Sequence, residues 1–221
     1  MLASNLLPST IHDPPSTPLA FLLVIEGIDG AGKSTVAGTL AEHCRARGFA
    51  VTQSREPTSG KWGMQLRQSA QTGRLPLAEE LDLFIRDRME HVETLIRPAI
   101  ERGEIVILDR YYLSTAAYQG ARGADPEAIL LRNEQFAPKP DLVLLLDFDP
   151  AAGLERIRAR GDQPDDFEAE QALIAVRRVF LGLKRPFIRI IDAALPADEV
   201  SRRCAEECDR IIAEKRGASL A

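Results

Sequence analysis

The sequence predicts an α/β fold: a doubly wound sheet of about five parallel strands covered by helices, with a small lid segment. Three observations predict it. Near-continuous apolar runs occur where strands covered on both faces would sit, as in a parallel sheet. Stretches of helical period separate these runs, and strands alternating with helices favour right-handed crossovers. A glycine-rich loop joins the first apolar run to the first helical one.

The first strand is FLLVIE (21–26). A helix over 32–47 follows the glycine loop and ends before Gly48, a residue suited to a C-cap. FAVTQSRE (49–56) is a weaker strand candidate, and 76–102 contains a long helical pattern interrupted near Pro98. EIVILDR (104–110) and DLVLLLDF (141–148) are the other two strong strands. Helical patterns at 150–160, 168–183 and 197–215 and a weak strand, FIRIIDA (187–193), complete the set. Ligands should collect at the carboxyl ends of such strands. The expected organisation is one domain over 21–215, a Pro- and Ser-rich flexible tail over 1–20, and a short C-terminal tail over 216–221.

With 221 residues, 45% hydrophobic and 28% charged, the composition is that of an ordinary soluble domain with a sizeable core. A net charge of −5 argues against a chain-wide nucleic-acid surface and leaves room for a local basic cleft. The apolar runs are too short for a spanning helix. The first twenty residues lack both the basic start and the continuous apolar middle of a signal peptide. Cys44, Cys204 and Cys208 make no disulfide framework; a Cys204–Cys208 metal half-site is less favoured than buried thiols in a reducing cytoplasm.

GIDGAGKS (27–34) fits the eight-position phosphate-binding loop and lies between a strand and a helix, as its mechanism requires. Gly27, Ile28, Asp29, Gly30, Ala31 and Gly32 would let backbone N–H groups converge on phosphate oxygens, helped by the helix N-terminus with Thr35. Lys33 would reach the β- and γ-phosphates, and the Ser34 hydroxyl would meet Mg²⁺. The competing reading, a chance glycine turn, does not explain the context on both sides. The sheet is then of the P-loop NTPase type.

Two strands end in aspartate, Asp109 and Asp147, and either could lie near Mg²⁺. For Asp147 a turn-capping role is preferred. Asp109 has richer company in LDRYYLSTAAYQG (108–120), where Arg110 offers a planar fork to a phosphate. A structural Asp109–Arg110 ion pair is the alternative. On LFIRDRMEHV (83–92), Phe84 and Arg88 share a helix face, which suits stacking and hydrogen bonding to a base. Phe84 alone would more often be core. Arg55 could bind a second phosphate. LERIRARGDQPDDFE (154–168) is either a solvated face or a mobile lid carrying arginines.

The segments EGIDGAGKST, REP, LFIRDRMEHV, DRYYLSTAAYQG and KPDLVLLLD, in this order and spacing, resemble those of the thymidylate kinase family from about residue 21 to 212. The resemblance implies ATP-dependent, Mg²⁺-assisted phosphorylation of dTMP to dTDP by a homodimer on a five-stranded parallel sheet. It implies that Asp29 lies near the acceptor's sugar and phosphate, that Arg55 and Arg110 bind phosphate, and that Phe84 stacks on thymine while Arg88 bonds to the base edge. It implies further that Tyr118 disfavours a 2′-hydroxyl and that Thr115 and Gln119 line the same segment, with Ser114 structural. Some family members carry an arginine between the loop glycines. This chain has Gly30-Ala31 there, so the resemblance moves that charge to a lid over about 156–168. Its candidates are Arg156, Arg158 and Arg160, Arg160 first.

No nucleic acid or membrane is expected as partner. The nearest rival is another deoxynucleotide or deoxynucleoside kinase of the same fold; a regulatory nucleotide-binding module is the more distant one, and no NKxD-type base-reading motif supports it.

Overall fold

A computed structural model of the chain describes residues 19–159 and 166–218. Residues 1–18 of the tail expected over 1–20, residues 160–165 of the lid including Arg160, and residues 219–221 of the C-terminal tail lie outside the described residues.

Five parallel strands form one sheet in the order β2-β3-β1-β4-β5. They are β1 (Phe21–Gly27), β2 (Val51–Arg55), β3 (Ile105–Asp109), β4 (Leu142–Asp147) and β5 (Ile188–Asp192). β1 and β3 are buried along their whole length, which is why their sequences are nearly unbroken aliphatic runs. β2 and β5, at the edges, are only partly covered, and their weaker sequence signals follow from that. The register sets Ile25 and Arg55 on either side of Asp109. The first-strand loop, Arg55 and Asp109 therefore meet at one end of the sheet.

Helices pack on both faces: α1 (Lys33–Ala46), α2 (Lys61–Thr72), α3 (Leu77–His91), α4 (Arg97–Glu101), α5 (Tyr112–Gly120), α6 (Pro126–Glu134), α7 (Pro150–Arg158), α8 (Asp166–Gly182) and α9 (Ala197–Ala218). The expected long helical pattern over 76–102 is broken earlier than Pro98, by a π-helical turn at Val92–Ile96 between α3 and α4. Pro98 has no N–H for the carbonyl four residues back, and its ring crowds that carbonyl; a widened turn ahead of it accommodates both.

Three helices were not expected. The α2 segment opens on Lys-Trp-Gly-Met, a poor helix signal. The α6 segment did carry a readable one, Asp125 as N-cap followed by Pro126 at the first helical position, and Asp125 accepts from the Glu127 N–H at 2.9 Å. The short α5 is rich in hydroxyl and aromatic residues, and it exists because almost all of it is buried. Its N-terminus has no cap of its own. The carboxylate of Glu26, from β1, accepts from the Tyr111 N–H (2.9 Å), the Ser114 N–H (3.1 Å) and the Ser114 hydroxyl (2.5 Å).

Cys44, Cys204 and Cys208 are free buried thiols between α1 and α9, with Cys44 Sγ 3.7 Å from Cys208 Sγ. Among the described residues no group of three or more His, Cys, Asp or Glu is placed to hold a metal.

Candidate active site

The loop after β1 turns into α1 with Gly30 at φ +83°. A Cβ built on Gly30 would run into the backbone of Gly153 in α7, so this position admits only glycine. The arginine that some loops carry here has no room in this chain. Lys33 is buried and its ammonium donates to the Ile28 carbonyl at 2.8 Å. Burial, reinforced by the nearby Arg110 charge, pushes the Lys33 ammonium down to about 8. The nearby Asp29, Asp109 and Glu26 carboxyls only partly offset this, and an arriving polyphosphate would add to their charge.

The Ser34 hydroxyl donates to Asp109 Oδ2 at 2.5 Å, while Asp109 Oδ1 is buried with no hydrogen-bond partner among the described residues. A hydroxyl and a carboxylate with an unspent oxygen, facing a phosphate cradle, are hard oxygen ligands of the kind Mg²⁺ takes directly or through water. These residues fit the ion. Asp147 differs from its expected turn-capping role: both its oxygens are held by Arg177 (2.6 and 2.9 Å). It is spent on a salt bridge at the start of the loop to α7.

Arg110 is the only non-glycine residue with positive φ (72°) among those described. Its N–H bonds to the Ile25 carbonyl at 2.9 Å, and the left-handed backbone turns its side chain back across the sheet end. Its partner is Asp29, in place of the Asp109 that a local ion pair would use. Arg110 also donates to the Ser114 hydroxyl (3.1 Å) and Tyr118 Oη (3.3 Å), and the Tyr118 hydroxyl donates to the second oxygen of Asp29 at 2.8 Å. Burial works to raise the Asp29 carboxyl, but Arg110, Lys33 and the Tyr118 hydroxyl together hold it below the usual range. Burial pushes the Tyr118 phenol up, so it stays a neutral donor.

Two adjoining cavities share this cluster. The first, about 280 Å³, is lined by the glycine loop, Lys33, Ser34, Thr35, Arg55 and Asp109. The second, about 260 Å³, is lined by Phe84, Arg88, Thr115, Tyr118 and Gln119 with Leu66 and Ala70. Asp29 and Arg110 line both, as does Arg67, a residue sequence reasoning missed. The Arg55 side chain is exposed, with no hydrogen bond or ion pair to the described residues.

Phe84 is half-buried in the second cavity wall, and Arg88 is 1% exposed. Gln119 Oε1 is buried without a partner among the described residues, and its amide nitrogen donates to Glu80 at 3.3 Å. Glu80, which also meets Arg122, was missed as well. The lid candidates divide. Arg156 sits with its guanidinium 3.9 Å over the Phe148 ring and donates to the Gly30 carbonyl at 3.1 Å. Arg158 lies on the last turn of α7, and Arg160 is outside the described residues.

The family model for thymidylate kinase matches residues 25–204. The chain is 56% identical over 187 residues to the thymidylate kinase of Xanthomonas campestris pv. campestris, covering 85% of this chain and 82% of that one. It is 54% identical over 186 residues to the thymidylate kinase of Xanthomonas oryzae pv. oryzae, with 84% and 82% covered. With the thymidylate kinase of Akkermansia muciniphila it shares 53% over 182 residues, 82% of this chain and 88% of the relative.

Proposed function

The chain belongs to the thymidylate kinase family, and on that premise we propose that it transfers the γ-phosphoryl group of ATP to dTMP, giving dTDP and ADP in dTTP biosynthesis. The observation that carries this reading is the pair of adjoining cavities: a phosphate cradle on one side, a base-sized slot on the other, and Arg110 with Asp29 between them.

Phosphoryl transfer needs little proton chemistry; its barrier falls when two phosphates are held in line and the spreading charge is neutralised. The loop N–H groups and Lys33 hold the donor phosphates. Arg110 and Arg55, with Arg67 beside them, hold the acceptor phosphate. Phe84 stacks on thymine, while Arg88, Thr115 and Gln119 read its polar edge. Tyr118, pinned by Asp29, crowds the 2′ position and favours deoxyribose. Ser34 and Asp109, the latter through water, would hold Mg²⁺, which neutralises charge on the β- and γ-phosphates when bound. Arg158 and Arg160 bring the positive charge that the glycine loop has no room for. Lid closure excludes water and limits ATP hydrolysis.

We take residues 21–215 as one kinase unit acting as a homodimer, and the cytoplasm as its compartment, in keeping with three unpaired buried thiols. Among the described residues no helix is long and apolar enough to cross a membrane. ADP release from ATP and Mg²⁺ across a panel of dTMP, dUMP, dCMP and thymidine tests the assignment. The largest kcat/KM is expected with dTMP; rapid phosphorylation of thymidine without use of dTMP overturns it.

A further inference from the structure

Arg88 is buried against the carboxylate of Glu56, a residue that also lines both cavities. Its Nε and one terminal nitrogen both reach Glu56 Oε2, at 2.8 and 2.7 Å. The other terminal nitrogen donates to Asn133 Oδ1 at 2.6 Å, and a further bond goes to the Thr115 hydroxyl at 3.0 Å. The Asn133 amide is itself fixed, donating to the Ile129 carbonyl at 2.8 Å. The second oxygen of Glu56 faces His91 Nδ1 at 3.0 Å, and His91 Nε2 faces the Ser54 hydroxyl at 2.9 Å.

Partner chemistry fixes the directions. A carboxylate accepts, so Nδ1–H of His91 donates to Glu56, which leaves Nε2 facing the Ser54 hydroxyl. Glu56 and His91 are 5% and 4% exposed, so these bonds do not compete with bulk water. The chain of contacts runs from Ser54 through His91 and Glu56 to Arg88. Ser54 and Glu56 flank Arg55 at the end of β2, and the Glu56 N–H bonds to the Asp109 carbonyl at 3.1 Å. Three consecutive residues thus anchor the base-side arginine to the strand that carries a phosphate-side arginine.

We propose that His91 and Glu56 are positioning residues that fix the guanidinium plane of Arg88 and thereby set which base edge the acceptor cavity admits. Arg88 has four side-chain torsions, and a fork that reads a flat edge must be held in one plane. Glu56 clamps it on one side and His91 keeps the Glu56 carboxylate from rotating. His91 is absent from the lining of the base cavity, so its bond to Glu56 is its route to Arg88. This rests on the reading of Arg88 as a base-edge contact.

The test uses the full chain with ATP, Mg²⁺ and dTMP or dCMP, comparing His91→Leu, His91→Asn and Arg88→Met. Asn places an amide N–H near the Nδ1 position and can still donate to Glu56. His91→Leu is expected to raise KM for dTMP roughly tenfold, the size of a lost hydrogen bond to a charged group, with KM for ATP within about twofold. The dTMP-to-dCMP ratio of kcat/KM should fall with it, and His91→Asn should restore most of both. In the Arg88→Met background, His91→Leu should cost little more, because one acts through the other. A folded His91→Leu enzyme with a lower Tm but wild-type KM and selectivity overturns the proposal while leaving Arg88 in place if Arg88→Met loses selectivity. If Arg88→Met keeps full selectivity, the base-edge reading fails, and the proposal with it. Should His91→Leu not fold, Ser54→Ala decides: a KM increase for dTMP alone, of about two- to threefold, supports the proposal, and none refutes it.

Discussion

At the scale of single residues, burial sets the chemistry. Lys33 is a buried ammonium with one carbonyl partner and a pKa pushed down to about 8, so its charge is held ready for an anion. Lys33→Ala should cost roughly 2–4 kcal/mol of transition-state stabilisation, read from kcat/KM for ATP, the range for one preorganised donor. Near-normal turnover would remove Lys33 from the mechanism. Glu26 shows the opposite polarity. Desolvation pushes its carboxyl up to about 7 from a model-peptide value of 4.5, against the bonds from Ser114 and Tyr111 and the charge of Arg110. An acid that binds its proton more tightly when folded contributes stability that is complete below about pH 4.5 and declines as pH rises toward 7. Glu26→Gln removes that slope. Between pH 5 and pH 8 the wild type should lose about 1–3 kcal/mol relative to the variant in urea unfolding, at 1.36 kcal/mol per unit. An unchanged difference at the two pH values would contradict it.

At the scale of elements, contact between the glycine loop and α7 decides what the loop can be. The loop and α7 approach so closely that neither glycine has room for a side chain: a Cβ on Gly30 would meet the Gly153 backbone, and one on Gly153 would lie 2.8 Å from the Asp29 carbonyl. Arg156 closes the contact through the Gly30 carbonyl and Phe148. Gly30→Ala combines left-handed backbone strain with overpacking and should destabilise by about 2–4 kcal/mol. Gly153→Ala meets only the overpacking and should cost about 1–3 kcal/mol. Equilibrium unfolding of both variants checks the order; the reverse order would mean that α7 yields more easily than the loop. Element legibility divides along the same physical line. β1, β3 and β4 announced themselves because a strand covered on both faces must be apolar throughout. Helix α5 did not, because its stability comes from burial and from Glu26, 88 residues away from Ser114 along the chain.

At the scale of the whole molecule, a chain of net charge −5 gathers Lys33, Arg55, Arg67 and Arg110 around one cleft, the local basic site that two anionic substrates would require. The loop, Asp109, Arg110 and the Phe84–Arg88 pair were legible because neighbours in sequence carry their meaning. Asp29's partner, Arg67's reach into both cavities and the Glu56–His91 contacts were not, because folding brings them together from separate strands and helices. That gathering makes the two cavities distinguishable by ligand-linked stability. A ligand at 100 times its Kd should stabilise the protein by about 2.7 kcal/mol. In Arg110→Gln, the stabilisation by dTMP should largely vanish, since Arg110 lines both cavities and Asp29 loses its cationic partner beside the acceptor phosphate. The stabilisation by ATP, held by Lys33 and the loop N–H groups, should survive in greater part. Thermal unfolding with each nucleotide alone separates the two. If both shifts fall together, Arg110 serves the donor phosphates as much as the acceptor, and the division of the cleft at Arg110 is wrong.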